Sequence, residues 1–276
     1  MRAALFQMRT GIDPAANARD LARAIAEARG QGADMLFTPE MSGLLDRDRA
    51  RAAAHLHAEE DDPVLAAVRD AAARAGIWVN LGSLALKTGR ADGRLVNRGF
   101  LIDALGKIRA RYDKIHLFDV DLPSGETWRE SAAYAPGDRV VLANTPWGRL
   151  GLSICYDLRF PDLYRALSEA GAEILAVPAA FTVPTGLAHW HVLLRARAIE
   201  AGAFVIAAAQ CGNHEDGRAT FGHSLVVDPW GEVLLDMEQR TGVGIAQIDP
   251  ARIADVRSRI PALRHRRPIG QAEVAA

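Results

Sequence analysis

A chain of 276 residues with 49% hydrophobic and 24% charged residues is long enough to bury a sizeable core. Its formal net charge of −1 gives no reason to expect a nucleic-acid partner. The two cysteines, Cys155 and Cys211, lie far apart in the sequence, which excludes a disulfide-rich framework and a Cys-x-x-Cys zinc site.

Strand and helix patterns alternate along the chain, which is typical of an α/β domain. The patterns predict strands at 2–8, 33–37, 77–84, 95–103, 107–112, 150–154, 173–178, 203–209, 224–227 and 232–235, and helices at 14–29, 61–75, from Pro161 onwards and at 186–202. Turn signals at 104–107 and 228–231 predict two hairpins that add antiparallel edges to the sheet. We therefore expect an α/β fold with a mixed sheet, helices outside and no internal domain boundary.

Neither a membrane partner nor export is indicated. The sequence opens on a strand pattern rather than a signal peptide, and it contains no run of about 18 apolar residues. We expect a cytoplasmic protein.

The stretch 113–138 shows too little periodicity for regular structure. Loops of this length in compact domains are usually functional. This one carries Lys114 and Glu130.

The sequence around Cys155 indicates a nucleophile. An apolar strand pattern runs into the thiol, and Pro161 suits the first turn of the next helix. A thiol on such a strand-to-helix turn would lie in positive potential, which favours the thiolate. The alternative for Cys155 is a small buried apolar residue.

Two charged residues at the ends of strand patterns could assist a nucleophilic Cys155. Glu40 follows an apolar strand and Pro39, and Lys114 ends the strand pattern at 107–112. Each alone could be a solvated loop charge. Together with Cys155 they supply what acyl transfer requires: a nucleophile, a carboxylate that moves protons and a cation for an oxyanion.

Three motifs, Thr38-Pro39-Glu40, Tyr112-Asp113-Lys114 and Cys155-Tyr156-Asp157, resemble in order and spacing those of the nitrilase superfamily of carbon-nitrogen hydrolases. The resemblance covers residues 1–268 and implies one carbon-nitrogen hydrolase domain there, with a C-terminal tail at 269–276. It also implies a four-layer α-β-β-α sandwich with mixed sheets that pairs into a homodimer. No cofactor is implied.

The resemblance assigns roles to individual residues. Cys155 attacks an amide carbon and forms a thioester, Glu40 is the base, and Lys114 with the backbone N–H of Tyr156 holds the oxyanion. Glu130 orients Lys114, unless it is an exposed loop carboxylate. Arg159, Phe181 and Thr185 match residues that line the pocket for an acidic substrate end. For Arg159 the alternative is a surface ion pair with Asp162.

The segments 195–200, 208–212 and 265–268 are most similar to the branch that acts on deaminated glutathione, which predicts cleavage of its terminal amide with release of ammonia. The omega-amidase branch, which acts on 2-oxoglutaramate, is second. N-carbamoyl amino acids and nitriles are further alternatives within the enzyme class. A thiol-dependent redox protein and a catalytically silent binding protein on the same fold are the alternatives outside it.

The histidines do not predict a metal site. His189 and His191 are two residues apart on a predicted helix, so they do not share a face, and we expect structural roles for them and for His116 and His223.

Overall fold

The computed structural model describes residues 1–121, 125 and 127–274. Its strands are β1 (Arg2–Gln7), β2 (Met35–Phe37), β3 (Trp78–Leu86), β4 (Val96–Ile102), β5 (Ile108–Asp113), β6 (Asp119–Asp121), β7 (Thr127–Arg129), β8 (Leu142–Thr145), β9 (Gly148–Leu152), β10 (Ile174–Ala176), β11 (Phe204–Ala207), β12 (Cys211–Asn213), β13 (Ala219–Phe221), β14 (Leu225–Val227), β15 (Val233–Asp236) and β16 (Gly242–Gln247). Its helices are α1 (Pro14–Gly30), α2 (Arg49–Ala53), α3 (Pro63–Ala75), α4 (Pro161–Glu169), α5 (Val183–Ala201), α6 (Ala251–Arg259) and α7 (Ala262–His265).

Two mixed six-stranded sheets form the centre of the molecule. The first has the order β16-β1-β2-β3-β4-β5 and the second the order β15-β14-β11-β10-β9-β8. In each sheet three neighbouring strands run parallel, β1-β2-β3 in the first and β9-β10-β11 in the second, and the outer strands are antiparallel. Side chains from both sheets, such as Leu5, Phe37, Leu152 and Val226, belong to one buried cluster.

Helices cover the outer faces of both sheets. Leu21 of α1 and Val68 of α3 belong to a second buried cluster with Leu36 and Val79 of the first sheet. On the other side, Trp190 and Leu194 of α5 are completely buried with the strands of the second sheet. The predicted four-layer α-β-β-α sandwich is therefore confirmed.

The ends of the main helices follow from their sequences. Asp62 precedes Pro63 and its carboxylate accepts the N–H of Leu65 at 2.8 Å, which caps α3. Gly202 ends α5 with a φ of 52°, a left-handed conformation that glycine adopts without steric cost. None of the described helices is long and apolar enough to cross a membrane.

Both predicted hairpins are present, and they place β5 and β15 at the edges of the two sheets. The expectation that 113–138 lacks regular structure is wrong in part. Here β6 pairs antiparallel with β7, and a single turn of 3-10 helix covers Glu130–Ala132. Strands of three residues are too short to produce a recognisable period in sequence. Residues 122–124 and 126 of this stretch lie outside the described part.

Candidate active site

Glu40 lies in a turn that its neighbours hold rigidly. It follows β2, and the Ser42 hydroxyl donates to the carbonyl of Pro39 at 2.7 Å. The backbone before it passes so close to Gly82 that a Cβ there would lie 2.2 Å from the carbonyl oxygen of Thr38. Gly82 thus permits the close approach of β3 that fixes the position of Glu40.

The Glu40 carboxylate is buried and accepts three hydrogen bonds. Lys114 Nζ and Asn97 Nδ2 donate to Oε1 at 2.8 and 2.9 Å, and the backbone N–H of Ala180 donates to Oε2 at 3.0 Å. Such donors favour the charged form of a carboxylate.

Lys114 joins two carboxylates. Its Nζ lies 2.8 Å from Glu40 Oε1 and 2.9 and 3.1 Å from the two oxygens of Glu130, and the residue is 2% exposed. Glu130 also accepts the backbone N–H of Phe118 at 2.7 Å. Glu130 is therefore not an exposed loop carboxylate but the second acid of a buried network.

Cys155 stands directly beyond the second sheet. After β9 the chain turns through Cys155 with a φ of 51°, and its N–H donates to the carbonyl of Pro178 at 2.9 Å. A left-handed conformation in a residue other than glycine is strained and persists only when its surroundings hold it. A short 3-10 helix, Cys155–Arg159, follows, so the predicted sharp strand-to-helix turn is confirmed.

Asp157 holds this turn in place. Its carboxylate accepts the backbone N–H groups of Ile154 at 2.8 Å and His116 at 3.0 Å, and the hydroxyl of Tyr112 at 2.7 Å. The backbone N–H of Tyr156 lies in the first turn of the 3-10 helix, where N–H groups have no acceptor within the helix. It is thus available to a ligand beside Cys155.

Burial and charge set the protonation of the site. Burial would raise the pKa of Glu40, but the charge of Lys114 and the hydrogen bonds to Cys155, Lys114 and Asn97 bring it below the usual value. Burial opposes the charge of Lys114, yet Glu130 and Glu40 raise its pKa well above the usual value. Both groups are therefore charged near neutral pH.

The pKa of the Cys155 thiol shifts in the direction opposite to the one that its position at a helix start favours. Burial and the adjacent Glu40 charge raise the pKa of its thiol well above the usual value, and Lys114 only partly offsets them. Burial and a neighbouring carboxylate therefore outweigh the positive potential of the short helix start, which by itself would favour the thiolate. Attack by Cys155 requires a base, and Glu40 is the neighbouring carboxylate.

All eight residues predicted from sequence line one cavity of about 1000 Å³. They are Glu40, Lys114, Glu130, Cys155, Tyr156, Arg159, Phe181 and Thr185. The guanidinium of Arg159 lies 5.5 Å above the ring of Phe181 and 3.2 Å from His189 Nδ1. No ion pair between Arg159 and an acid, Asp162 included, occurs among the described residues.

Asn97 was missed by the sequence analysis. It lies in β4, is 1% exposed, and donates through Nδ2 to Glu40 at 2.9 Å and to Glu130 at 3.3 Å. Its Oδ1 is buried and has no hydrogen-bond partner among the described residues. The available signal was an uncharged polar residue within the predicted strand 95–103.

The outer part of the cavity is cationic and aromatic. The described lining of the whole cavity contains nine lysines and arginines against four acidic residues. Arg47 and Arg218 lie 5.4 and 5.3 Å from the ring of Trp128. Such a lining attracts anionic ligands.

The chain is similar to known proteins over most of its length. The family described as carbon-nitrogen hydrolase matches residues 2–258. A deaminated glutathione amidase of Yersinia enterocolitica is 39% identical over 265 residues, which cover 96% of this chain and 92% of that protein. The human deaminated glutathione amidase is 39% identical over 96% of this chain and 82% of its own length.

Solved structures agree in fold. The C. elegans NitFhit protein superposes with a TM-score of 0.89 at 38% identity; the match covers 96% of this chain, which spans only 65% of the NitFhit chain. An amidase from Nesterenkonia sp. AN1, in a glutamate-to-glutamine mutant with the acetamide moiety of fluoroacetamide added covalently at its active-site cysteine, has a TM-score of 0.80. It is 29% identical, over 97% of this chain and 94% of that chain.

Proposed function

Because this chain belongs to the carbon-nitrogen hydrolase family of the nitrilase superfamily and is an amide-hydrolysing enzyme, we propose that Cys155, Glu40 and Lys114 hydrolyse the amide of deaminated glutathione through a thioester. One observation carries this proposal. The buried network of Glu40, Lys114 and Glu130 borders Cys155 in a cavity whose lining is rich in cations.

Acylation begins with a thiol. Glu40 takes the proton from Cys155 Sγ as the sulfur attacks the amide carbon, and the carbonyl oxygen becomes an oxyanion. When the tetrahedral intermediate collapses, the carbon-nitrogen bond breaks and Glu40 returns the proton to the leaving nitrogen. The acyl group remains on Cys155 as a thioester.

Lys114 and the backbone N–H of Tyr156 stabilise the oxyanion. The ammonium of Lys114 has three N–H donors, which contact one oxygen of Glu40 and both oxygens of Glu130. When the substrate oxygen replaces the longer, 3.1 Å contact with Glu130, one N–H donates to the substrate. The other contacts keep the ammonium fixed, which avoids reorganisation during the reaction. Glu130 orients Lys114 without touching the reacting bond.

Deacylation uses the same base. Once the amine has left, water enters its place, and Glu40 removes a proton from the water as the oxygen attacks the thioester carbon. Collapse of the second tetrahedral intermediate breaks the carbon-sulfur bond. Glu40 returns the proton to Cys155, and 2-oxoglutarate is released.

Arg159 is our candidate for the acidic head of the substrate. A planar guanidinium binds a carboxylate through two parallel N–H donors. Phe181 packs against Arg159, and Thr185 is held by a 2.8 Å hydrogen bond to Thr182, so this wall of the cavity is preorganised.

The remaining space suits a long substrate. The cavity of about 1000 Å³ lies at the upper end of the volume range of pockets that bind drug-sized ligands. This volume is far larger than 2-oxoglutaramate requires. Deaminated glutathione extends the same head by Cys-Gly and ends in a second carboxylate. Exposed Arg47 and Arg49 lie at the outer wall, and neither forms an ion pair with an acid among the described residues.

The chemistry of the leaving group corrects one expectation. In deaminated glutathione the nitrogen of the scissile amide belongs to the cysteine of Cys-Gly, so hydrolysis releases Cys-Gly and 2-oxoglutarate. Ammonia, which the sequence-based prediction named as a product, is released only from the unsubstituted amide of 2-oxoglutaramate.

Competition between the two amides tests the substrate. With equal concentrations in one assay, we expect faster formation of Cys-Gly than of ammonia, because tail contacts can contribute to transition-state binding. Arg47→Ala and Arg49→Ala should reduce the use of the longer amide selectively. Equal or better use of 2-oxoglutaramate would favour the omega-amidase assignment, and preference for an N-carbamoyl amino acid would contradict both.

We also propose that the chain forms a homodimer through α5. Val192 and Ile199 are seven residues apart on one face of this helix and are exposed, as are Trp230 and Ile260 nearby. Light scattering should give twice the chain mass, and Ile199→Glu should yield monomers. A monomeric wild-type protein at micromolar concentration would contradict this assembly.

A further inference from the structure

We propose that His191, His223 and Asp236 form a binding site for one divalent first-row transition-metal ion of the zinc type. The three residues lie outside the catalytic cavity. His191 belongs to α5, His223 lies between β13 and β14, and Asp236 ends β15.

The potential ligand atoms converge. Nε2 of His191 lies 2.9 Å from Asp236 Oδ2, and Nδ1 of His223 lies 3.0 and 3.1 Å from the two oxygens of Asp236. One ligand atom from each residue falls within 4.8 Å of the others. Ligands at about 2.0–2.2 Å from a tetrahedral zinc ion are separated by about 3.3 Å, so small side-chain rotations would bring all three to the ion.

Backbone strain marks the same place. Four residues other than glycine in the described chain have a positive φ: Met41, Cys155, His223 and Glu238. Met41 and Cys155 belong to the active site, whereas His223, with a φ of 54°, and Glu238, with a φ of 52°, flank Asp236. Backbone strain of this kind concentrates at active sites and ligand clamps. The second strained pair therefore indicates a second ligand site.

Neighbouring groups hold the side chains in position. Trp190 Nε1 donates to the carbonyl of His223 at 2.7 Å, which ties α5 to the loop that carries His223. The backbone N–H of Glu238 donates to Asp236 Oδ1 at 2.8 Å and leaves Oδ2 for a metal ion. Partners of this kind orient metal ligands and strengthen binding.

The side chains are partly buried yet reachable. Their exposed fractions are 37% for His191, 20% for His223 and 27% for Asp236. An ion can enter from solvent, while partial desolvation strengthens its attraction to the carboxylate.

The donor set selects the class of metal. Two imidazole nitrogens and one carboxylate form a zinc-binding set that leaves a fourth position for water. Magnesium and calcium prefer oxygen ligands and are not expected to bind. The sequence shows no metal motif because His189 and His191 of α5 do not share a helix face. In the fold, His191 instead meets His223 and Asp236, which belong to two other segments.

Metal content of the purified protein tests the proposal. After chelator treatment, zinc loading and gel filtration, elemental analysis should find one bound zinc per wild-type chain. Loss of one ligand should weaken binding by about 100-fold or more, so Asp236→Asn and His191→Gln should retain little zinc. Cobalt(II) should produce a visible absorption band in the wild type that neither variant shows.

His265→Gln is the matched control, since it removes an exposed histidine from α7 and should keep the full zinc content. Retained amidase activity in the Asp236 and His191 variants verifies that they fold. If the wild type binds no zinc, or if both variants keep one equivalent, the three residues form only a hydrogen-bonded structural cluster and the proposal is wrong.

Discussion

Asn97 donates to Glu40 Oε1 over 2.9 Å, the same oxygen to which Lys114 donates. Two donors to one oxygen restrain the carboxylate more tightly than Lys114 alone would. Because the Asn97 amide also reaches Glu130 at 3.3 Å, one side chain of β4 positions both acids of the site.

Replacement of Asn97 by leucine should raise the pKa of Glu40, since the hydrogen bond from Asn97 helps to lower it. Glu40 must be deprotonated to act as base, so activity is lost as pH falls through its pKa in the folded protein. The acid limb of the kcat/KM profile should therefore move to higher pH, and kcat should fall by about 10-fold or more, as expected for a hydrogen bond to a charged group. The control is Asn80→Leu, a buried asparagine of β3, and an unchanged acid limb in Asn97→Leu would disprove this role.

Cys155→Ala should abolish amide hydrolysis while the protein stays folded, because removal of one buried sulfur leaves a small cavity. Iodoacetamide should inactivate the wild type with one label per chain, mapped to Cys155 by mass spectrometry. Cys211→Ala, the other buried free cysteine, should keep both activity and inactivation. Full inactivation by a label on Cys211 alone would overturn the assignment.

Glu40→Gln should slow turnover and, at the same time, let the Cys155 thiol ionise at lower pH. Turnover should fall by at least about 100-fold, because glutamine keeps the shape but cannot accept a proton. At the same time the pKa of Cys155 should decrease, since the charge of Glu40 raises it and that of Lys114 lowers it. Alkylation rates measured against pH should therefore rise at lower pH than in the wild type, and a shift to higher pH would contradict the electrostatic assignment.

Lys114→Met should be as damaging to catalysis as Glu40→Gln, because an uncharged chain cannot hold the oxyanion. It should also destabilise the protein by about 3–5 kcal/mol, since it leaves the buried carboxylate of Glu40 and the partly buried one of Glu130 without their cation. Urea unfolding and steady-state kinetics measure the two effects. Near-normal turnover would mean that Lys114 is not the oxyanion cation.

Arg159→Ala should reduce kcat/KM for deaminated glutathione and 2-oxoglutaramate alike, because both carry the same acidic head. A charged hydrogen bond of about 1.5–3 kcal/mol corresponds to a loss of about 10- to 100-fold. Arg165→Ala, which removes an exposed arginine of α4, should leave both values unchanged. Equal kinetics for Arg159→Ala and wild type would place the acidic head elsewhere.

The sequence alone singled out Glu40, Lys114 and Cys155, because each follows a strand pattern directly and their chemical types together suit acyl transfer. It also indicated the four helices α1, α3, α4 and α5 and the two hairpins, whose periodicity and turn residues are local signals, but not α2, α6 and α7. The runs 173–178 and 203–209 are nearly all apolar, which is typical of strands covered on both faces, and every residue of β10 and β11 is buried.

The tertiary structure decided the properties that depend on distant neighbours. Only packing shows that Asn97 donates to both Glu40 and Glu130, which are remote from each other in sequence. Only packing shows that His191 and His223 meet at Asp236. The protonation of Cys155 was likewise decided by the fold, because desolvation and the charge of Glu40 act through space. A linear motif specifies which groups are present, whereas their distances and burial, which control charge and reactivity, arise only when the two sheets pack together.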